Sequence, residues 1–420
     1  MRERFAWRDV RTVADMGAPQ HAGGAATLDD PGQAVRTPTV SALRLSAFRT
    51  LRARTVPLGP VTVVTGPSGC GKSTVLEAYQ ALARLGQGGA LEEVFGARVA
   101  PPGDPSPYVP RDARPDRQGR RGFRLGCAVA GPAGPLRFDV AVQAEPELRV
   151  VGERLSRATG ETLLATALRD PARRAVSATC RVAGATRTLR TPFPDDRLTL
   201  PLLPLRMAGT TADERALLEA VEQVVVALRS VFACDPVPAR MRGPVAAGDG
   251  RLRGDCGNLA DVLRRTRAEC ATRHAALLSA VREGCAGAVT ELFAEPAGRT
   301  GSGLVRGVLE HGGGGPATPL EWLGEGELRF VALALVLLTG PGVLSVETVH
   351  EVPAARQALT VLADGLDRGL DGRQTAELLA LARRMARRGH VRLLATGPDQ
   401  GPLAPEAART ADVTLVDLGR

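Results

Sequence analysis

An α/β fold built on a mainly parallel sheet is predicted by three observations. Val61-Thr62-Val63-Val64-Thr65 is an unbroken apolar and β-branched run, followed by a glycine-rich turn and then by a stretch rich in Ala, Leu and Glu from Ser73 to Leu85. In the last third of the chain, apolar runs of strand length alternate with helical ones. Strands that alternate with helices imply parallel pairing, because a parallel partner is reached only through a crossover. Between residues 125 and 205, short Val-, Leu- and Thr-rich runs alternate in polarity and are separated by Gly and Pro. That is the pattern of an antiparallel section joined to the parallel one.

The elements follow in order. Residues 1 to about 38 mix Gly, Ala, Pro and charge without a period, and read as a poorly ordered arm. Val40 to Arg49, Thr55 to Leu58 and Val61 to Thr65 read as strands. Pro101 to Arg124, rich in Pro, Arg and Asp, reads as an exposed loop. Leu136-Arg137-Phe138-Asp139-Val140-Ala141-Val142 is one of the alternating strands of the antiparallel section. Thr211-Ala212-Asp213-Glu214 has the hydroxyl and glutamate spacing of a capping box, and Leu217, Leu218, Val221, Val224, Val225 and Leu228 then share one helical face. A second helix is expected to open at Asn258, with Asp261 at its third position, and to run toward Phe293 with a break at Gly284. Leu323 to Phe330 leads into an apolar helix to Leu338, Gly342 to Glu347 reads as a buried strand, and Arg373 to Arg388 as an amphipathic helix closed by Gly389. Val391 to Thr396 and Val413 to Val416 complete the set of strands.

The chain of 420 residues contains one lysine among 54 basic residues, and that lysine lies in Gly66-Pro67-Ser68-Gly69-Cys70-Gly71-Lys72-Ser73-Thr74. Isoleucine is absent and Asn258 is the one asparagine, so residues read from AT-rich codons are depleted. In such a chain most lysines drift to arginine, and a lysine that persists marks a place where a guanidinium does not serve. The spacing Gly-x4-Gly-Lys-Ser is that of a phosphate-binding P-loop. Glycines let successive N–H groups turn inward as an anion nest, and the following helix adds its positive end. Lysine supplies a compact point charge for the outer phosphates, where arginine would fork. Ser73 would offer its hydroxyl to a phosphate-bound Mg²⁺.

Composition sets outer bounds. The length suits two or three units, or one nucleotide-binding unit with an insertion. Aromatic residues make up 3% of the chain, so Leu, Val and Ala must fill the core. A net charge of +9 permits contact with nucleic acid, although arginine is inflated by the same codon bias. Cys70, Cys127, Cys180, Cys234, Cys256, Cys270 and Cys285 are odd in number and form no Cys-x2-Cys pair, which argues against a zinc site or a disulfide framework. The N-terminus lacks the apolar core of a signal peptide and no run is long enough to span a membrane, so a cytoplasmic protein is expected.

Taken together, the entry Leu43 to Arg49, the strand and P-loop, the middle segments Asp235 to Arg242 and Gly257 to Leu263, and Leu323 to Phe330 resemble the AAA-type ATPases of the RecF/SMC/OLD branch of the ABC superfamily. The match covers most of Thr39 to Arg420. The resemblance implies a P-loop NTPase fold, an ABC-type ATPase head with a β-rich arm and a helical insertion. Residues 1–38 are expected as a disordered N-terminal arm outside the head, 39–124 as the head's first part, 125–205 as the antiparallel β section, 206–300 as the helical insertion and 301–420 as the second part. It implies ATP and Mg²⁺ as cofactors, held by Gly66 to Thr74 with Ser73 on the metal. It also implies a homodimer in which two heads sandwich ATP, with Gly326 of the signature-like segment facing the nucleotide of the other copy. Gly324 stands at the family's signature serine. In Val343 to Glu347 the resemblance puts Val346 at the metal-side aspartate and Glu347 at the catalytic base, and Thr396-Gly397 has glycine at the switch histidine.

Two readings stand at this point: a slow ATPase cycling between dimer and monomer, in DNA repair or phage defence, or an ATP-dependent switch or scaffold with negligible turnover. Arg264, Arg265 and Arg267, and Arg383, Arg384, Arg387 and Arg388, form clusters that would suit DNA or, equally, a solvated helix face. No acidic cluster reads as a nuclease, so a nuclease or other effector is expected on a separate chain.

Overall fold

All five residues of Val61–Thr65 are buried, as a strand covered on both faces must be. This strand organises the fold. The computed structural model describes residues 37–96, 106–116, 118–182, 185–189, 192–299, 301–313, 316–340, 344, 358–389 and 391–419. In chain order they form β1 (Thr39–Phe48), β2 (Leu51–Pro57), β3 (Val61–Thr65), α1 (Lys72–Gly86), β4 (Arg121–Ala130), β5 (Leu136–Glu145), β6 (Arg149–Arg157), β7 (Thr162–Ala167), β8 (Ala175–Val182), β9 (Ala185–Thr188) and β10 (Phe193–Pro194). Then come α2 (Ala212–Arg229), β11 (Val231–Cys234), α3 (Pro238–Met241), β12 (Val245–Ala246), α4 (Leu259–Glu269), α5 (Ala271–Gly284), β13 (Val289–Ala297), β14 (Leu304–His311) and β15 (Thr318–Pro319). The chain closes with α6 (Glu325–Leu337), β16 (Leu359–Ala363), α7 (Gly372–Arg387), β17 (Val391–Thr396), α8 (Leu403–Ala408) and β18 (Thr414–Asp417).

Three sheets result. A five-stranded sheet has the order β11-β16-β17-β3-β18 and is parallel throughout. A nine-stranded antiparallel sheet runs β10-β8-β7-β6-β5-β4-β1-β2, with β9 beside β8. A four-stranded sheet joins β12, β14 and β13, with β15 on β14. Alternation along the parallel strands shows how the layers stack. Val64, Leu362 and Leu394 face a core shared with α1, α2 and the nine-stranded sheet. Val61, Val63, Val361, Leu393 and Ala395 face a second core with α4 to α7. Helix α6 is buried at every position from Leu328 to Leu337, which explains why this run, Arg329 apart, is apolar all round.

The antiparallel section and the C-terminal strands expected at Val391 to Thr396 and Val413 to Val416 appear as the sequence predicts, whereas β16 was not among the expected strands. The expectation of a helical insertion over 206–300 meets a difference. Helix α2 packs on α1 and β1, and β11 follows it directly as an edge strand of the parallel sheet. The span is therefore woven into the central layers. Helices α4 and α5 part at Cys270 instead of Gly284, where α5 ends, and Phe293 lies in β13. The Asn258 side chain does not cap α4; it accepts from Arg253 N and donates to Arg251 O, fastening the preceding loop. At α2, Thr211 Oγ1 accepts from Glu214 N, while the glutamate returns to Thr210 rather than Thr211. Residues 1–36 of the expected N-terminal arm and residue 390 lie outside the described residues, as does most of the expected strand at Gly342 to Glu347.

Candidate functional site

In a parallel sheet every strand ends at the same edge, and ligand groups carried there converge. At this edge β3 passes into the P-loop, where Gly66, Gly69 and Gly71 have φ of 143°, 82° and 105°. Gly66 has a second constraint, since a Cβ there would lie 2.7 Å from Cys70 Sγ. A Cβ on Gly71 would lie 2.8 Å from Leu51 Cδ2, so the loop is pressed against the start of β2. Pro67 and Ser68 form the exposed crest. Lys72 opens α1, and its Nζ donates to Gly66 O at 2.8 Å and Pro67 O at 2.9 Å. The ammonium is thereby held within the concavity of the loop. Ser73 is exposed, whereas Thr74 is buried against the core.

Across the edge, Ser73 Oγ donates to the carboxylate of Asp364, 2.9 Å from Oδ2 and 3.1 Å from Oδ1. Asp364 follows the fully buried strand β16. Thr396, the last residue of β17, donates from Oγ1 to Asp364 Oδ1 at 2.6 Å and accepts from Gly365 N at 2.9 Å. Hydroxyl, carboxylate and hydroxyl thus come from α1, β16 and β17, and the ammonium of Lys72 adjoins them in sequence. A hard divalent cation prefers such oxygen donors, and an anion nest with a lysine suits a polyphosphate. The residues present fit Mg²⁺ with a nucleotide: Ser73 and Asp364 would hold the metal, and Gly66 to Lys72 the phosphates.

The carboxylate at this edge comes from a different segment than the acidic strand expected from the sequence. Val346 and Glu347 lie outside the described residues, and Leu344 makes an isolated parallel bridge with Leu252. The carboxylate beside Ser73 is Asp364, which sequence reasoning missed. Both runs are apolar and end in an acid; pairing with β11 and β17 puts Leu359–Ala363 in the sheet. The signal was available in Leu359-Thr360-Val361-Leu362-Ala363-Asp364, followed at Asp371 by a helix N-cap. The residue after Asp364 is Gly365, and no described carboxylate occupies that position. Gly397 has a packing reason, because a Cβ there would lie 3.0 Å from Leu403 Cδ2 and 3.2 Å from Asp367 Oδ1. Burial raises the Asp367 carboxyl above its ordinary range, opposed in part by the Leu403 N–H.

The signature-like segment opens α6. Gly324 and Glu325 are exposed and Gly326 is half-buried. Gly326 is needed within the chain itself, since a Cβ would lie 2.3 Å from Gly369 O. The arginine clusters are largely ion-paired. Arg264 meets Asp261, Arg265 meets Glu269, and Arg267 lies 3.7 Å from Glu291. Arg383 and Arg387 both reach Asp412, and Arg384 reaches Glu377. These pairs favour the solvated helix face over a dedicated DNA surface. Five of the cysteines are buried, while Cys70 and Cys270 are half-buried. No helix among the described residues is long and apolar enough to cross a membrane.

No protein-family model and no curated protein matches the chain. Among solved structures, an SMC head bound to the C-terminal winged-helix domain of ScpA is similar over 88% of this chain and 91% of that one, at 10% identity and a TM-score of 0.46. The SMC head domain from Thermotoga maritima matches over 88% and 92%, at 14% identity and a TM-score of 0.35. An SMC head with an extended coiled coil, bound to the C-terminal domain of ScpA derived from Pyrococcus furiosus, matches over 88% and 92%, at 11% identity and a TM-score of 0.43. Likeness at this level supports no inference about residues or activity. The parallel sheet with the P-loop at its edge and the attached antiparallel sheet form a mixed α/β fold of the P-loop kind.

Proposed function

We propose that this chain binds ATP with Mg²⁺ and works as a nucleotide-dependent switch, with slow or negligible hydrolysis. The observation that carries the reading is the meeting of Ser73 with Asp364 at the mouth of the Lys72 loop. Lys72 and the loop amides grip the phosphates; Ser73 and Asp364 hold the metal; Thr396 fixes the carboxylate. Phosphoryl transfer also needs a group that orients the attacking water. Gly365 and Gly397 offer no side chain where the resembled family has glutamate and histidine, and this favours the switch over the cycling ATPase. Glu347 stays the candidate base for any residual turnover. The exposed first turn of α6 suits a second copy of the chain, with nucleotide between the two heads, and an effector on another chain would read the dimer.

Calorimetry with Mg-ATP, followed by phosphate release from wild type and Glu347→Gln, tests this. Binding with little release from either chain is expected. Multiple turnovers by wild type that Glu347→Gln abolishes would restore the cycling ATPase, and no binding at all would remove both readings.

A further inference from the structure

Two buried thiols outside the nucleotide site face each other. Cys234 is the last residue of β11, and Cys256 lies in the loop before α4. They are 22 positions apart in the chain, yet their Sγ atoms are 3.9 Å apart, one thiol donating to the other. The backbones run side by side here: Asp235 N donates to Gly254 O at 2.9 Å, and Val237 N to Asp255 O at 3.0 Å. The sulfurs of a disulfide are about 2.05 Å apart, so closure needs an approach of roughly 2 Å between segments that are already joined.

The backbone at Cys256 argues that this thiol is kept for its sulfur. Its φ is 57°, in the left-handed region that side chains other than Asn, Asp and His seldom enter. Glycine enters it freely, and this chain has 48 glycines, one of them next door at Gly257. Strain of this kind persists only where the surroundings impose it. Here Cys256 N donates to Arg253 O, the Asn258 side chain bridges Arg253 N and Arg251 O, and Asp261 accepts from Gly250 N. The contact with Cys234, and then burial, hold the Cys256 thiol well above its ordinary range. The closed pair therefore offers little thiolate, the form that reacts, and exchange waits for the loop to open.

We propose that Cys234 and Cys256 form a reversible dithiol, a modification site that closes into a disulfide by exchange with a low-molecular-weight disulfide. The loop is the movable side, since Cys234 is held in register opposite Ala363 of β16. With the loop open, Cys256 loses its proton and its thiolate attacks one sulfur of the small disulfide. That S–S bond breaks, and the first small thiolate leaves and takes up a proton. As the loop recloses, Cys234 loses its proton and attacks the Cys256 sulfur of the mixed disulfide, and the second small thiol leaves. The two cysteines give up two electrons and two protons, and the small disulfide is reduced to two thiols. The bond fastens the loop that leads into α4 to the edge strand of the parallel sheet, beside Ala363 and so one residue from Asp364.

Disulfide mapping tests this. Native protein is incubated with oxidised glutathione, quenched by alkylation, then unfolded and digested without reductant for mass spectrometry. A peptide linking Cys234 to Cys256 is expected, with both thiols lost together and both restored by dithiothreitol. Half-buried Cys70 and Cys270 are expected to gain glutathione adducts without linking. The bridged chain should melt about 2–5 °C higher, as closure of a loop of this size predicts. Cys234→Ala should trap glutathione on Cys256, and Cys256→Ala should leave Cys234 unmodified over the same time; the reverse pattern overturns the assignment of the loop as the moving side. Cys234 and Cys256 that stay thiols in native protein, and react only once it is unfolded, overturn the proposal. So does a bond from either to a different cysteine, or a bridged chain that melts lower than the reduced one. If the alanine variants do not fold, the wild-type map decides alone.

Discussion

The two larger sheets place their charged residues in opposite ways. In the parallel sheet, Asp364, Thr396 and the P-loop emerge side by side at one edge, and their polar groups point at one another across an open mouth. In the nine-stranded antiparallel sheet, strand ends alternate and charge is taken inside. Arg149 is buried with Asp195 and also donates to the carbonyls of Pro171 and Arg173. Glu153 is fully buried and accepts from Thr199 N at 2.8 and 3.0 Å. Burial pushes the Glu153 carboxyl up to about 7, with the Thr199 and Leu200 N–H groups opposing. A perturbed or buried charge therefore does not by itself mark the site here. Convergence of unlike groups at one accessible edge does.

The contrast breaks most easily at Arg149. Arg149→Met should leave buried Asp195 with only the more exposed Arg174, 3.3 Å away, and cost about 3 kcal/mol in urea denaturation, while any folded fraction binds Mg-ATP normally. Loss of binding at unchanged stability would erase the distinction between the sheets. Next in size is pH. Glu153 keeps its proton up to about 7 when folded, against 4.5 ordinarily. The folded state holds the extra proton between those values, so this contribution is full below 4.5 and is lost as pH rises to 7. The loss is about 3 kcal/mol on the linkage relation, and Glu153→Gln should flatten that slope in a series of urea midpoints from pH 5 to 8. An unchanged slope would show that Glu153 is ionised in the fold.

On the other sheet the signs reverse. Lys72→Met should lower affinity for Mg-ATP by about a hundredfold, roughly 2.7 kcal/mol, with no measurable loss of stability; calorimetry and thermal unfolding of the same sample check both. Gly326→Ala forces a methyl against Gly369 O and should cost about 1–3 kcal/mol as an overpacking change. A neutral result in thermal unfolding would mean that α6 is not seated on that turn as firmly as the contact distance indicates.

What the sequence disclosed follows from how local each signal is. The P-loop is local: strand, glycine spacing, lysine and helix lie within a few residues, and all stand where they were expected. The antiparallel section and the C-terminal strands Val391 to Thr396 and Val413 to Val416 were legible from period alone. Asp364 was not, because two apolar runs ending in an acid compete within 25 residues or so, and only pairing with β11 and β17 decides between them. The span 206–300 misled for the same reason: Val231-Phe232-Ala233-Cys234 is too short to announce a strand and needs its neighbour β16 to become one. Gly326 illustrates a third limit. Its signature-like setting suggested a role toward another copy, while the carbonyl that excludes a side chain comes from Gly369, 43 positions away and invisible to any local pattern.

The central claim is that Ser73 and Asp364 hold a magnesium ion on a nucleotide gripped by Lys72. Titration of ATP into wild type and Asp364→Asn, each with magnesium and with EDTA, tests it most directly. Wild type should bind about tenfold or more tightly with magnesium, as expected when a carboxylate ligand contributes, and the variant should bind ATP alike in both conditions. An Asp364→Asn chain that keeps the full magnesium dependence would contradict the account.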